Sequence, residues 1–337
     1  MKLTEEGIDM FANRRPDRPE LWKESSQQLV RRKELRERCS AEELNPLLDL
    51  SRMVYDDKHK VVMCVVPKAA CTTMKRAMWF LQGNVDKANI NQVNTKLLVL
   101  GSGKIKTLNL LPKTEALKRL LNYTTFVVMR DPTARIVSAH SSKFTNRTSS
   151  PSYKLFYGRQ IAMRQAVLYS KGVKLNYRNI VATSNLKMDP DFQRLSTDKQ
   201  QEVIDYAKIM RFGNISFHQF GRSVSQQNPS HTKSFDVHWR PQVDLCNPCL
   251  FNYDYVIKFE NLATEANGLL RYLQRNDPEE KKYFVDETHN PLIDDEKTRK
   301  VFDGIGNDVL DGLERIYAHD FRVLGYKTSF NSFKNTK

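Results

Sequence analysis

Three short apolar runs, each followed by a helical pattern, constrain the fold of this chain more than any other feature. They are KVVMCVV at residues 60–66, TTFVVMR at 124–130 and YDYVIKFE at 253–260. Their length suits buried strands, and Pro67 bounds the first run. Asp131-Pro132 is a helix-start signal after the second, and TEANGLLRYLQ is a helical pattern after the third. The alternation predicts an α/β protein with a central parallel sheet flanked by helices.

Further helical patterns predict the elements between and around these strands. They are ESSQQLVRRKELRERC, TEALKRLL, RQIAMRQAVLYS (159–170), DKQQEVIDYAKIMRF (198–212) and DVLDGLERIYAHDF. Residues 1–48 are polar and hold ten basic and ten acidic side chains, so we expect a stem or a peripheral helix there. The main domain is expected over residues 49–330, with a tail at 331–337.

The positive charge of the chain is concentrated in one part of the sequence. The net charge is +15, and residues 58–180 hold 22 lysines and arginines against three acidic residues. A positive field of this kind concentrates anionic ligands and steers their approach. Nucleic acid, a phosphorylated cofactor and an acidic polysaccharide are the candidate partners, and a basic surface that only aids solubility is the alternative.

The stretch VVPKAACTTMKRAM, residues 65–78, has the form of a phosphate-binding turn without its glycines. A P-loop nucleoside triphosphatase is excluded, because residues 54–82 contain no glycine. Small residues at the start of a helix can still present backbone N–H groups to an anion, and the alternative is an ordinary strand-to-helix turn with solvated lysines. We expect the positive charges in the first helical turn to be offset by a bound anion, since the helix dipole disfavours them. The candidate contacts are Pro67, Lys68, Ala69, Ala70, Cys71, Thr72, Thr73, Lys75 and Arg76.

The second strand-to-helix junction, VMRDPTARIVSAHSSKF, adds further candidate anion contacts. Arg130 ends the strand, Arg135 follows it, and Ser138 lies about two helical turns beyond Arg130. An arginine can hold a phosphate at two points, and a serine hydroxyl can complete the shell of contacts. Alternatively, Arg130 pairs with a carboxylate and Ser138 only packs. Ligands of parallel sheets bind beyond the carboxyl ends of the strands, where both junctions are expected.

Together the two motifs resemble the signature pair of sulfotransferases, in particular the HNK-1-type carbohydrate sulfotransferase family, which includes the chondroitin and dermatan 4-O-sulfotransferases. PKAACTTMKR is similar to the 5′-phosphosulfate loop of that family, where alanine already replaces the glycine of cytosolic relatives. RDPTARIVSAHSSKF is similar to its 3′-phosphate motif. Three further stretches match in order, HWRPQVDLCNPC, YDYVIKFENL and YAHDFRVLGY. The resemblance covers residues 50–327 and implies a P-loop-like sulfotransferase fold.

The resemblance also implies a reaction and its participants. A sulfuryl group would pass from 3′-phosphoadenylyl sulfate (PAPS) to a sugar hydroxyl, with no metal. Lys68 would meet the charge on the bridging oxygen, the loop would hold the 5′-phosphosulfate, and Arg130 and Ser138 would hold the 3′-phosphate. The implied acceptor is an acidic glycan or proteoglycan of chondroitin or dermatan type. No nucleic acid partner is expected, since an RNA-binding signature and zinc-finger spacing are absent from the sequence. The competing hypothesis is a basic polyanion-binding protein without catalysis.

The acceptor hydroxyl needs a general base, and histidine accepts protons near neutral pH. His238, in the HWRPQ stretch, is the first candidate, and a packing histidine is its alternative role. His140 and Glu260 are the other candidates for the base.

Cysteines and targeting signals bear on the compartment of the protein. Cys246 and Cys249 form a C-x-x-C, for which we expect a local disulfide in an oxidising compartment or two free thiols in a reducing one. No apolar segment of membrane-spanning length and no signal peptide is visible, so the sequence alone predicts a soluble chain. The resemblance implies a Golgi lumen or Golgi membrane location, because family members are type II Golgi membrane proteins. The N-glycosylation sequons at Asn122, Asn146 and Asn214 fit a protein with this luminal location.

Overall fold

The computed structural model describes residues 26–39, 49–100, 103–145, 153–161, 190–198, 200–201, 204, 213–286 and 295–334. The helices predicted at 159–170 and 198–212 lie largely outside these residues, as do Asn146 and most of the expected stem.

A four-stranded, mostly parallel sheet forms the centre of the fold. Its strands are β1 (Met53–Asp56), β2 (Val61–Cys64), β3 (Thr124–Met129) and β4 (Tyr255–Lys258), in spatial order β1-β2-β3-β4. The pairs β2–β3 and β3–β4 are parallel, and β1–β2 is antiparallel. All three predicted strands are therefore present and neighbouring, and β1 is an additional edge strand. Their side chains are buried almost throughout, as expected for a sheet covered on both faces.

Helices follow each parallel strand and supply the rest of the described structure. Asp131 accepts from the backbone N–H of Thr133 at 2.8 Å at the start of the helix after β3, which confirms the predicted helix-start signal. The α-helices of the described residues are α1 (Ser26–Arg38), α2 (Cys71–Leu81), α3 (Lys113–Asn122), α4 (Pro132–His140), α5 (Pro190–Gln193), α6 (Phe217–Ser225), α7 (Gln242–Cys246), α8 (Leu262–Leu273), α9 (Asp295–Phe302) and α10 (Asn307–Leu324).

Helix α1 packs on the sheet, although the sequence predicted a stem or a peripheral element. The side chain of Gln28 accepts from the backbone N–H of Val256 in β4 at 3.0 Å. Arg31 forms an ion pair with Glu265 of α8. Both pairs are at least partly buried, so α1 covers part of β4. The domain limits proposed from the sequence stay a prediction.

Two disulfides link distant parts of the chain, and they correct the expected pairing of the C-x-x-C. Cys64 at the end of β2 is bonded to Cys246, and Cys39 after α1 is bonded to Cys249. The prediction of a local disulfide is wrong because Cys246 ends α7 and faces β2, while Cys249 lies in the turn that follows. Cys71 is a free thiol.

The chain divides into two compact units. The sheet and the disulfides belong to the first unit, and aromatic rings such as Phe217 and Phe302, 5.0 Å apart at their centroids, pack within the second. The first unit comprises residues 1–135, 230–294 and 317–329, and the second comprises 136–229, 295–316 and 330–337.

Candidate functional site

The turn between β2 and α2 holds the predicted loop in a strained backbone conformation. Lys68 has φ of 70° and Ala70 has φ of 51°, and both values lie in the left-handed region that favours glycine. Each such residue costs about 1–2 kcal/mol. Strain of this kind persists only where surrounding contacts impose it, and it concentrates at functional sites.

The start of α2 presents unpaired backbone donors next to this turn. Ala70 is the N-cap residue, and its side chain makes no capping hydrogen bond. Met74 donates to the carbonyl of Ala70 at 3.0 Å, so the N–H groups of Cys71, Thr72 and Thr73 precede the first pairing within the helix. Such a start fits a phosphate or sulfate group, because N–H donors and the helix dipole both favour an anion.

Arg130 brings the end of β3 to the same turn. Its Nη1 donates to the carbonyl oxygen of Lys68 at 2.9 Å, and its guanidinium lies 4.1 Å from the ring centroid of Phe259. Its Nε is buried and has no hydrogen-bond partner among the described residues. Burial lowers the pKa of Arg130 to about 10, although the carboxylates of Glu260 and Asp131 act in the opposite direction. The two junctions therefore meet, and one buried N–H donor at their meeting point is unpaired within the described residues.

Arg135 supports the loop from inside the protein. The side chain is fully buried, and its Nε donates to the carbonyl of Pro67 at 3.0 Å. Its Nη1 and Nη2 donate to the carbonyls of Arg240 and Val237 at 2.7 and 3.1 Å. Burial lowers the pKa of Arg135. A direct cofactor contact, as expected from the sequence, does not fit this burial; Arg135 instead connects the loop to residues 237–240.

The positive charges in the first turn of α2 are held by backbone carbonyls. Nζ of Lys75 donates to the carbonyl of Leu98 at 2.7 Å, and burial lowers the pKa of Lys75. Nη2 of Arg76 donates to the carbonyl of Val93 at 3.4 Å. The bound anion expected from the sequence to offset these charges is thus not needed to explain Lys75. Arg76 also borders a cavity of about 40 Å³ lined by Thr73, Arg76, Asn91, Tyr283, Phe284, Val285 and Asp286.

Ser138 lies in α4 and is half-buried. It belongs to the second unit, so its predicted contact with a 3′-phosphate stays a prediction.

His238 is paired with a carboxylate two residues earlier. Its Nδ1 lies 2.7 Å from Oδ1 of Asp236, and its backbone N–H donates to the same oxygen at 2.9 Å. Arg135 places this segment beside the loop, because the same guanidinium contacts the carbonyls of Val237 and Pro67. A carboxylate on Nδ1 favours the tautomer in which Nε2 accepts a proton.

The two alternative bases have structural partners. Nε2 of His140 donates to the carbonyl of Ile215 at 2.8 Å, the ring lies among phenylalanines, and burial lowers its pKa. In this arrangement Nε2 of His140 carries the hydrogen and is not a proton acceptor, and the role of His140 as a base stays a prediction. Glu260 accepts from the backbone N–H of Asp131 at 3.0 Å and from the hydroxyl of Tyr326 at 3.1 Å. Glu260 thus joins the ends of β3 and β4.

Asp236 and Gln242 were not among the residues predicted from the sequence. The sequence signal for Asp236 is the spacing D-x-H, in which the histidine is His238, the first residue of the HWRPQ stretch. A carboxylate two residues before a histidine can reach its Nδ1. Gln242 binds the backbone of Arg130, a partner 112 residues away that no local pattern indicates. The described residues contain no group of three or more potential metal ligands.

A strained strand–loop–helix turn, joined by an arginine from the neighbouring parallel strand, marks the strand ends of this α/β protein. The sequence pattern of the sulfotransferase family matches residues 51–327, and the chain belongs to this family.

The chain is similar to carbohydrate sulfotransferase 11 of Rattus norvegicus, with 27% identity over 284 residues that cover 82% of this chain and 68% of the relative. Carbohydrate sulfotransferase 8 of Mus musculus is 28% identical over 224 residues, which cover 66% of this chain and 44% of the relative. Carbohydrate sulfotransferase 9 of Homo sapiens is 29% identical over 232 residues, covering 66% and 41%. No solved structure matches the chain.

None of the helices in the described residues has both the length and the apolar character needed to cross a bilayer.

Proposed function

We propose that this protein is a carbohydrate sulfotransferase that moves a sulfuryl group from PAPS to a hydroxyl of a glycan, on a P-loop-like sulfotransferase fold over residues 49–330. The observation that carries the proposal is the hydrogen bond of 2.9 Å between Nη1 of Arg130 and the carbonyl of Lys68. It unites the two motifs that a bisphosphorylated nucleotide would have to contact together. The sulfotransferase family and the names of the relatives support the same reaction.

The donor side of the site has groups suited to its two anionic ends. The backbone N–H groups of residues 70–73 and the hydroxyls of Thr72 and Thr73 would bind the 5′-phosphosulfate. The N–H of Ala69, also expected there from the sequence, donates to the carbonyl of Val66 at 3.3 Å. Arg130, with its buried and unpartnered Nε, and Ser138 would bind the 3′-phosphate. PAPS supplies an activated sulfuryl group and leaves as adenosine 3′,5′-bisphosphate.

Positioning and charge stabilisation are the work left to the protein in such a transfer. Lys68 is placed at the turn to neutralise the negative charge that develops on the leaving oxygen. His238 takes the proton of the acceptor hydroxyl on Nε2, while Asp236 holds Nδ1 and stabilises the imidazolium that forms. These roles assign one cation to the leaving group and one base to the nucleophile.

The acceptor we propose is an acidic glycan of chondroitin or dermatan type, and the compartment is the Golgi lumen. The excess of positive charge over residues 58–180 supports an anionic acceptor. Two disulfides support an oxidising compartment. Both proposals follow the resemblance to chondroitin and dermatan sulfotransferases.

Transfer of labelled sulfate from PAPS to a panel of desulfated glycans tests the activity. We expect incorporation into at least one chondroitin-type glycan, and no incorporation into any glycan would overturn the enzymatic proposal. A comparison of the thermal stabilisation by adenosine 3′,5′-bisphosphate with that by AMP distinguishes a PAPS enzyme from the alternative, a polyanion-binding protein. A polyanion-binding protein responds about equally to both nucleotides, whereas a PAPS enzyme prefers the bisphosphate.

A further inference from the structure

Helix α7 stands beside both anion-binding junctions, and its first residue contacts the backbone of Arg130 twice. The backbone N–H of Arg130 donates to Oε1 of Gln242 at 2.9 Å, and Nε2 of Gln242 donates to the carbonyl of Arg130 at 2.7 Å. Gln242 is fully buried. The side-chain amide therefore continues the hydrogen-bond pattern of β3 at the point where the strand ends.

Asp320 of α10 fixes Gln242 in turn. Its Oδ2 accepts from the backbone N–H of Gln242 at 2.8 Å, and its Oδ1 accepts from the backbone N–H of Val243 at 2.9 Å. Oδ2 also lies 3.3 Å from Nε2 of Gln242. A carboxylate at the N-terminus of α7 satisfies donors that a helix start leaves unpaired. Asp320 thus holds Gln242 at both its backbone N–H and its side-chain amide.

The other end of α7 is bonded covalently to β2, the strand next to β3 in the sheet. Cys246, the last residue of α7, forms the disulfide with Cys64, the last residue of β2 and three positions before Pro67. One short helix is therefore attached covalently to the end of β2 and by two hydrogen bonds to the end of β3.

We propose that Gln242 is a positioning residue, which sets the place of the Arg130 guanidinium relative to the loop and so determines recognition of the 3′-phosphate. Gln242 does not contact the nucleotide. Its two hydrogen bonds hold the backbone of Arg130, whose Nη1 reaches the carbonyl of Lys68 and whose buried Nε has no hydrogen-bond partner among the described residues. This inference rests on the proposed function, in which Arg130 binds the 3′-phosphate.

The variant Gln242→Met tests the proposal because it keeps the size of the side chain and removes both hydrogen bonds. The readout is the ratio of the dissociation constants for AMP and for adenosine 3′,5′-bisphosphate, measured by calorimetry. We expect the ratio to fall about tenfold, as for loss of a charge-assisted hydrogen bond, with affinity for AMP nearly unchanged. In an Arg130→Ala background the same substitution should leave the ratio unaltered, because the two residues act as one unit.

Gln28 provides the matched control. It is also fully buried and also accepts a backbone N–H, that of Val256 within β4, at 3.0 Å. Gln28→Met should lower the unfolding temperature and leave the nucleotide ratio unchanged. If Gln242→Met does not fold, Gln242→Asn replaces it, since asparagine keeps a neutral amide but is one methylene too short to contact both backbone groups of Arg130; the ratio should again fall.

The outcomes separate this inference from the proposed function. A wild-type protein that binds both nucleotides equally well overturns the proposed function and this inference with it. A wild-type preference for the bisphosphate that persists in the Gln242 variants overturns the inference alone. An equal fall of the ratio in Gln28→Met and Gln242→Met would also overturn it, because the effect would then be one of general stability.

Discussion

Lys68 and Lys60 are two lysines with the same unusual backbone conformation in different places. Their φ values are 70° and 50°, and Lys60 lies in the turn between β1 and β2. We expect Lys68→Ala to lower the rate of sulfate transfer about a hundredfold or more, because a cation next to the leaving oxygen is removed. Initial rates with labelled PAPS measure the effect. Lys60→Ala is the control, and equal losses in the two variants would contradict the role of Lys68.

His238 and Asp236 should behave as a pair in kinetics. We expect His238→Ala to lower kcat about a hundredfold or more, because the acceptor hydroxyl loses its base. Asp236→Asn should lower kcat less, since the imidazole stays while the charge that orients it is lost. Binding of adenosine 3′,5′-bisphosphate should be unchanged in both. His231, exposed on the surface, is the control histidine; a His238→Ala enzyme with normal kcat would exclude the assignment.

Single residues also show the limit of prediction from sequence. The motif around Arg130 was recognised, and the structure places it against the loop. Arg135, five residues later, was grouped with it, yet it is fully buried and binds three backbone carbonyls. Sequence shows which residues are cationic, whereas burial decides whether a cation faces a ligand or the protein interior.

The junction between β2 and α2 carries an alanine where the backbone favours glycine. Ala70 has φ of 51°, whereas Ala69 has an ordinary negative φ and is buried. We expect Ala70→Gly to raise the free energy of unfolding by about 1 kcal/mol, because the left-handed conformation costs glycine nothing. Ala69→Gly should lower it, since the unfolded chain gains entropy and a buried methyl group is lost. Urea unfolding measures both, and a destabilised Ala70→Gly would show that the methyl group has a packing role.

Elements with long apolar runs were predictable, and short ones were not. Strands β2 and β3 lie in runs of six consecutive apolar or threonine residues, at 61–66 and 124–129, so their burial is visible in the sequence. In β4 the run is only YVI, but Tyr253 and Phe259 flank it and a long helical pattern follows. Strand β1 has only MVYD before a charged turn, and α7 has only QVDLC, so neither has a recognisable period. Both are fixed by tertiary partners, namely β2 for the first and Asp320 for the second.

On the scale of the whole molecule, a buried histidine joins the β1–β2 hairpin to the segment after α8. His59 lies between Asp56, 2.7 Å from Nδ1, and Asp277, 2.8 Å from Nε2. Burial acts to lower the pKa of His59, but the hydrogen bonds and charges of the two carboxylates outweigh it, so the pKa is raised above 6.5. Lys58 also pairs with Asp277 at 2.8 Å and adds a second cation to the cluster.

The sign of this shift predicts a stability that falls with rising pH. The folded state binds the proton of His59 more tightly than the unfolded state, so the stabilisation is complete below the unfolded pKa of about 6.5 and is lost as the pH rises through the raised folded pKa. A tenfold difference in proton affinity corresponds to about 1.4 kcal/mol. Urea unfolding between pH 5.5 and pH 8.5 measures it. His59→Gln should remove this part of the pH slope and His231→Gln should keep it; an unchanged slope in His59→Gln would refute the assignment.

The disulfide between Cys39 and Cys249 spans 210 positions of sequence and holds α1 by a covalent bond. A protease that cuts the chain once between residues 40 and 48 would therefore leave a nicked protein of unchanged mass, apart from one added water. On a denaturing gel the two pieces would migrate as one band without reductant and separate when thiol is added. The first helix is thus retained after the peptide backbone that connects it to the sheet has been severed.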